Sequence, residues 1–116
     1  MITEITKLAE SINTTRKILR ARLEKIDDAL PAIPAGIFVR VTLGESEAHG
    51  TIQLVVCSRW GLAVTHETYV ESAWEWDSVP DKWIPLAAKA VEKLLADLKS
   101  QMGIAANEET ALAGKI

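Results

Sequence analysis

Between Ile5 and Leu30, apolar residues return at three- and four-residue steps: Ile5, Leu8, Ile12, Leu19, Leu23, Ile26 and Leu30. That spacing places them on one face of an α-helix. Thr15 interrupts the stripe. Thr3 can serve as N-cap, Glu4 suits the positive end of the helix dipole, and Pro31 forbids continuation, so a helix is predicted from Glu4 to Leu30. Pro31 to Gly36 holds two prolines and a glycine and reads as an extended connector carrying Ile33 into the core.

From Ile37 the period falls to two. Ile37, Val39, Val41 and Leu43 share one face of a strand, with Phe38, Arg40 and Thr42 on the other. A polar loop at Gly44 to Gly50 leads to a second strand, Thr51 to Ser58, with Ile52, Leu54 and Val56 facing one way. Arg59-Trp60-Gly61 reads as a tight turn with Gly61 left-handed. The third strand is predicted from Leu62 to Tyr69 or Val70. Glu71-Ser72-Ala73 reads as a turn before a short fourth strand, Trp74 to Trp76, in which both tryptophans point to the same face.

The helical period then returns. Trp83, Ala87, Ala90, Val91, Leu94, Leu98 and Met102 trace a stripe. Ser78 with Asp81 approximates a capping box, and Gly103 is a natural stop. The second helix is thus predicted from Pro80 or Asp81 to Met102. The expected fold is α+β: a long N-terminal helix, an antiparallel meander of three or four strands, and a C-terminal helix. Residues 1–103 form one domain in this reading, and 104–116 a tail that frays.

A helix of this length is about 40 Å long, whereas seven-residue strands span roughly 23 Å. The first helix should overhang its sheet and leave apolar surface uncovered. A symmetric dimer is the simplest cover, because one patch serves twice. Ile5, Leu8, Ile12 and Leu19 are the expected interface.

Length and composition narrow the class. The chain has 116 residues, 48% hydrophobic and 25% charged, which suits one globular domain. It has no apolar run long enough for a membrane span and no N-terminal signal pattern. Its lone cysteine, Cys57, fits a reducing compartment. The cytoplasm is the expected location. A net charge of -3 argues against general affinity for nucleic acid. That charge is unevenly placed. Residues 36–79 hold two basic side chains, Arg40 and Arg59, against six acidic ones: Glu45, Glu47, Glu67, Glu71, Glu75 and Asp77.

No motif for catalysis, metal binding or phosphate binding is present. His49, His66, Cys57 and Ser58 lack the spacing of a nucleophile site or metal centre, and Cys57 on a strand reads as a small buried hydrophobe. The basic residues Arg16, Lys17, Arg20, Arg22 and Lys25 spread around the first helix among acidic neighbours, as on a solvated face. Tryptophan is the unusual feature: four, against one Phe and one Tyr. Trp83 falls on the core stripe. Trp60, beside Arg59 in a turn, has the composition of an interaction hot spot.

The sequence therefore points to a non-enzymatic, cofactor-free protein-binding module of the adaptor, chaperone-like or small-inhibitor kind. It would act as a homodimer and meet an unidentified protein partner through Arg59, Trp60, Glu67, Glu71, Trp74, Glu75 and Trp76. The alternative is a small-ligand or nucleotide binder that stacks its ligand on tryptophan, with Arg40, Arg59 and His66 as donors.

Overall fold

The computed structural model describes all 116 residues. Helix α1 (Ile2–Ala29) is followed by strands β1 (Phe38–Ser46), β2 (Gly50–Cys57), β3 (Gly61–Glu67) and β4 (Glu71–Trp74). Two 3₁₀ turns, Trp76–Ser78 and Asp81–Trp83, then lead into helix α2 (Ile84–Ala113). The strands form one antiparallel sheet in the order β1-β2-β3-β4. This is an αββββα fold of the α+β class.

Side-chain alternation decides which face of the sheet the helices cover. Val39 on β1, Ile52, Leu54 and Val56 on β2, and Leu62 and Val64 on β3 point inward. They pack with Leu23 of α1 and Ile84, Ala87, Leu94 and Leu98 of α2 into one core. Trp76, Val79 and Trp83 close it from the linker between β4 and α2. The central strand β2 is also buried on its other side, where Val55 is 0% and Cys57 3% exposed.

The helices are long, about 42 Å for α1 and 45 Å for α2 at 1.5 Å per residue. The molecule measures 71 Å along its greatest axis, so neither helix alone accounts for its length. Pro85, at the start of α2, shares a recess with Ile12, Thr15 and Leu19 of α1. At the other end Met102 and Ala105 of α2 meet Pro34 to Ile37. The two helices are therefore staggered, and each projects past the other at one end.

Several boundaries differ from the sequence reading. Helix α1 begins at Ile2 with Met1 as N-cap, and neither Thr3 nor any other side chain caps it. The start of α2 has no capping box: Ser78 and Asp81 lie in separate 3₁₀ turns without side-chain cap bonds. Gly103 does not stop α2, which continues through the expected tail to Ala113. One helical glycine costs only about 1 kcal/mol, and the alanines, glutamates and leucine beyond it favour helix. Glu71 to Ala73, expected as a turn, belong to β4, which pairs Glu71 with Glu67 and Trp74 with Val64. Trp76 accordingly leaves the sheet and sits in a 3₁₀ turn with 8% of its surface exposed.

Candidate functional site

Strand β4 is three residues shorter than β3, and its pairing ends at Val64 and Trp74. The stretch of β3 nearest the β2–β3 turn, at Leu62 and Ala63, thus has no strand neighbour on that side. An unpaired strand edge leaves backbone donors to be satisfied. Helix α1 supplies the acceptor: Asp27 Oδ1 takes the Leu62 N–H at 2.9 Å, and Oδ2 takes the Trp76 indole N–H at 3.3 Å. Gly61, with φ +65°, permits this approach, since a Cβ there would stand 2.7 Å from Asp27 Oδ1.

Asp27 thus ties together the helix, the strand edge and the linker. Arg20, about two helical turns earlier on the same face, donates to the Trp76 carbonyl and pairs with Asp81 at 2.5 Å. Between these anchors and the β2–β3 turn lies an open cleft of about 490 Å³. Trp60, Trp74 and Trp76 contribute to its walls. The Arg59 guanidinium lies over the Trp60 ring, 4.9 Å from its centroid.

The ionisable lining is Glu24, Asp27, Glu75 and Asp77 against Arg59 alone. Asp27 is engaged by its two donors. The one ion pair in the molecule is Arg20 to Asp81, so Glu24, Glu75 and Asp77 carry charge into the cleft without a cationic partner. An adjoining recess of about 280 Å³ is framed by Phe38, Cys57, Arg59, Trp60 and Glu71.

The structure brings together five of the seven residues the sequence nominated for partner binding: Arg59, Trp60, Trp74, Glu75 and Trp76. Glu71 reaches only the adjoining recess. Glu67 lies five residues along β3 from Leu62, roughly 17 Å at 3.3 Å per residue, and lines neither. Trp60 and Trp74 are half-buried, whereas Trp76 is a core residue that shows one edge to the cleft. Glu24, Asp27 and Asp77 were missed. Asp27 in sequence is one acid among several on a polar helix face, and only the end of β4 reveals its task.

The nominated dimer residues divide. Ile5, Leu8 and Ile12 are 58%, 63% and 49% exposed. Leu19 instead packs against the core.

At the opposite end of the sheet the two histidines meet, a contact unforeseen from their separate elements. Their ring centroids are 5.6 Å apart, and His66 lies 4.3 Å from the Trp74 ring. Partial burial, and secondarily the neighbouring His49 charge, hold the His66 pKa below its usual 6.5. Cys57 does not join them. It lies five residues along β2 from Ile52, the cross-strand partner of His66, roughly 17 Å away. No three His, Cys, Asp or Glu side chains converge to hold a metal ion. No helix is long and apolar enough to cross a membrane. No protein-family model, curated protein or solved structure matches the chain.

Proposed function

We propose that the chain is a homodimeric, non-enzymatic protein-binding module that receives a basic segment of a partner protein in the tryptophan cleft. The observation that carries this reading is the cleft's composition. Three indoles from separate segments surround a space edged by three carboxylates that have no ion-pair partner. An aromatic face attracts a guanidinium or ammonium group, and the attraction grows when the cation is partly desolvated. Nearby carboxylates add steering and select against anionic partners. Arg59 on Trp60 is an intramolecular instance of the same contact.

Stacking of a nucleotide is less well supported at this site. Of the three donors the sequence offered, only Arg59 lines the cleft, while Glu24, Glu75 and Asp77 would repel phosphates. Adaptor, chaperone-like and inhibitor roles share this docking chemistry, and partner identity would distinguish them.

The direct test is titration of the chain with a short arginine- and lysine-rich peptide, read by tryptophan fluorescence and calorimetry. Binding should weaken about tenfold in Trp60→Ala, in line with loss of a hot-spot aromatic. It should weaken comparably when Glu75 and Asp77 are both neutralised, and fall with added salt. Peptide binding that is indifferent to these substitutions would contradict the assignment of the cleft.

A further inference from the structure

Trp74 belongs to two places at once. Its indole lines the cleft with Trp60, Trp76, Glu75 and Asp77, and it also packs against both histidines of the chain. The His66 ring lies 4.3 Å from the Trp74 ring at an interplanar angle of 30°, and the His49 ring meets it edge-on at 5.2 Å and 82°. An imidazole stacked at that distance takes one face of the indole, so the other face remains for a guest in the cleft.

Backbone register fixes this meeting. On β3 and β4, Val64 pairs with Trp74 and His66 with Ser72, which makes His66 and Trp74 diagonal neighbours on the helix-covered face. His49 ends the loop between β1 and β2. Its carbonyl accepts the Glu67 N–H at 2.9 Å, and Gly50, with φ +67°, brings the loop so close that a Cβ there would overlap the Glu67 carbonyl.

No charged group stands by to neutralise a proton on this pair. Burial and the His49 charge are the two influences on His66; none comes from α1, α2 or the linker. On the sheet, Ser72 opposite it is uncharged, and Glu67 and Glu71 belong to the other face. The charged groups that share the cleft with Trp74 are Glu24, Asp27, Glu75, Asp77 and Arg59. His66 Nδ1 is buried without a hydrogen-bond partner. A protonated ring, in which both nitrogens are donors, would therefore carry an unsatisfied N–H.

We propose that the two histidines gate the cleft: neutral, they back the Trp74 indole while its free face holds a partner's cation, and protonated, they expel that cation. The gate rests on the basic-segment reading above and adds its regulation. Two effects act in the same direction. An imidazolium on one face of the indole draws on the same quadrupole that holds the guest, and the guest on the opposite face stands about 8 Å away, no farther than physiological salt screens. In addition, two charged imidazoles with centroids 5.6 Å apart repel each other, so the pair separates and Trp74 loses its backing. Because His66 is held below 6.5, the cleft is open at neutral pH and the change falls below that value.

An arginine-rich peptide without histidine, titrated by calorimetry at pH 7.5 and 5.5, tests the gate. The wild-type chain should bind about tenfold more weakly at pH 5.5, as expected for a unit charge at that distance in a partly desolvated site. The double variant His49→Gln/His66→Gln keeps every cleft carboxylate and should change less than about twofold. Without peptide, wild-type tryptophan emission should fall over the same interval, and that of Trp74→Phe should not. Equal losses of affinity in wild type and double variant would assign the pH dependence to the carboxylates and overturn the gate while leaving the cleft. So would affinity that is independent of pH, emission that does not respond, or a circular dichroism spectrum showing that the wild-type chain unfolds at pH 5.5. A peptide that binds at neither pH would remove the basic-segment reading and the gate together.

Discussion

The two halves of α1 share one hydrophobic period and differ in what covers it. In the second half Leu23 is 1% exposed, Asp27 holds a strand edge and an indole, and Arg20 clasps the linker before α2. In the first half the same stripe faces outward, with Leu8 63% exposed. The difference teaches that an apolar period specifies a helix and one of its faces, while the burial of that face depends on where the next element starts. Here α2 starts at Ile84, beside Leu19 rather than Ile5.

The contrast can be broken most sharply by matched truncations. Leu23→Ala should cost about 3 kcal/mol in urea unfolding, as expected for a fully buried leucine. Leu8→Ala, measured at high dilution, should change stability by no more than about 0.5 kcal/mol, as for an exposed position. Its cost should emerge only as protein concentration rises, because association stabilises by mass action. Equal costs at high dilution would show that the first half is covered within the single chain.

A smaller effect is expected from Asp27→Ala. It strands the Leu62 N–H and the Trp76 indole N–H at a part-buried edge, for a loss of about 2 kcal/mol. Tryptophan emission should shift to the red as Trp76 loosens. Stability and emission both unchanged would mean that the strand edge needs no anchor from the helix, and the cleft would lose its rear wall as a fixed feature.

The smallest effect is expected at the histidine pair, which packs beside Trp74. His66 is held below its unfolded value of 6.5, so the folded protein resists a proton that the unfolded chain accepts. Stability should therefore be flat above pH 6.5 and decline as the pH falls through and below it. The groups that bear on His66 are His49 and Trp74 on its own side of the sheet, with Glu67 and Glu71 turned to the other. His66→Gln should flatten the slope between pH 6.5 and 5. An unchanged slope would assign the acid sensitivity to the carboxylates instead.

Much of this architecture was legible in the sequence because long periodic runs over-determine their element. The order of helix, meander and helix followed from the switch between periods at Ile37 and back at Trp83. The fourth strand was harder, since Glu71-Ser72-Ala73 has turn-like composition and becomes a strand only by pairing with Thr65 to Glu67. Gly103 misled for the opposite reason: the alanine-rich sequence after it outweighs one glycine.

At the site, Arg59, Trp60, Trp74, Glu75 and Trp76 were readable from residue type alone. The contributions of Asp27 and Glu24 were not, because they depend on tertiary placement of α1 beside an unpaired edge. Similarly, His49 and His66 become neighbours only through hairpin registers that bring both to one end of the sheet.

We propose that the uncovered half of α1 joins two copies and leaves the tryptophan cleft of each free for a partner. The mass of the unmodified chain in solution tests it most directly, by light scattering from high dilution to tens of micromolar, alongside Leu8→Glu. The account predicts twice the 12.7 kDa chain mass for the native protein and a folded species of the single-chain mass for the variant. A native protein that holds the single-chain mass throughout that range would contradict it.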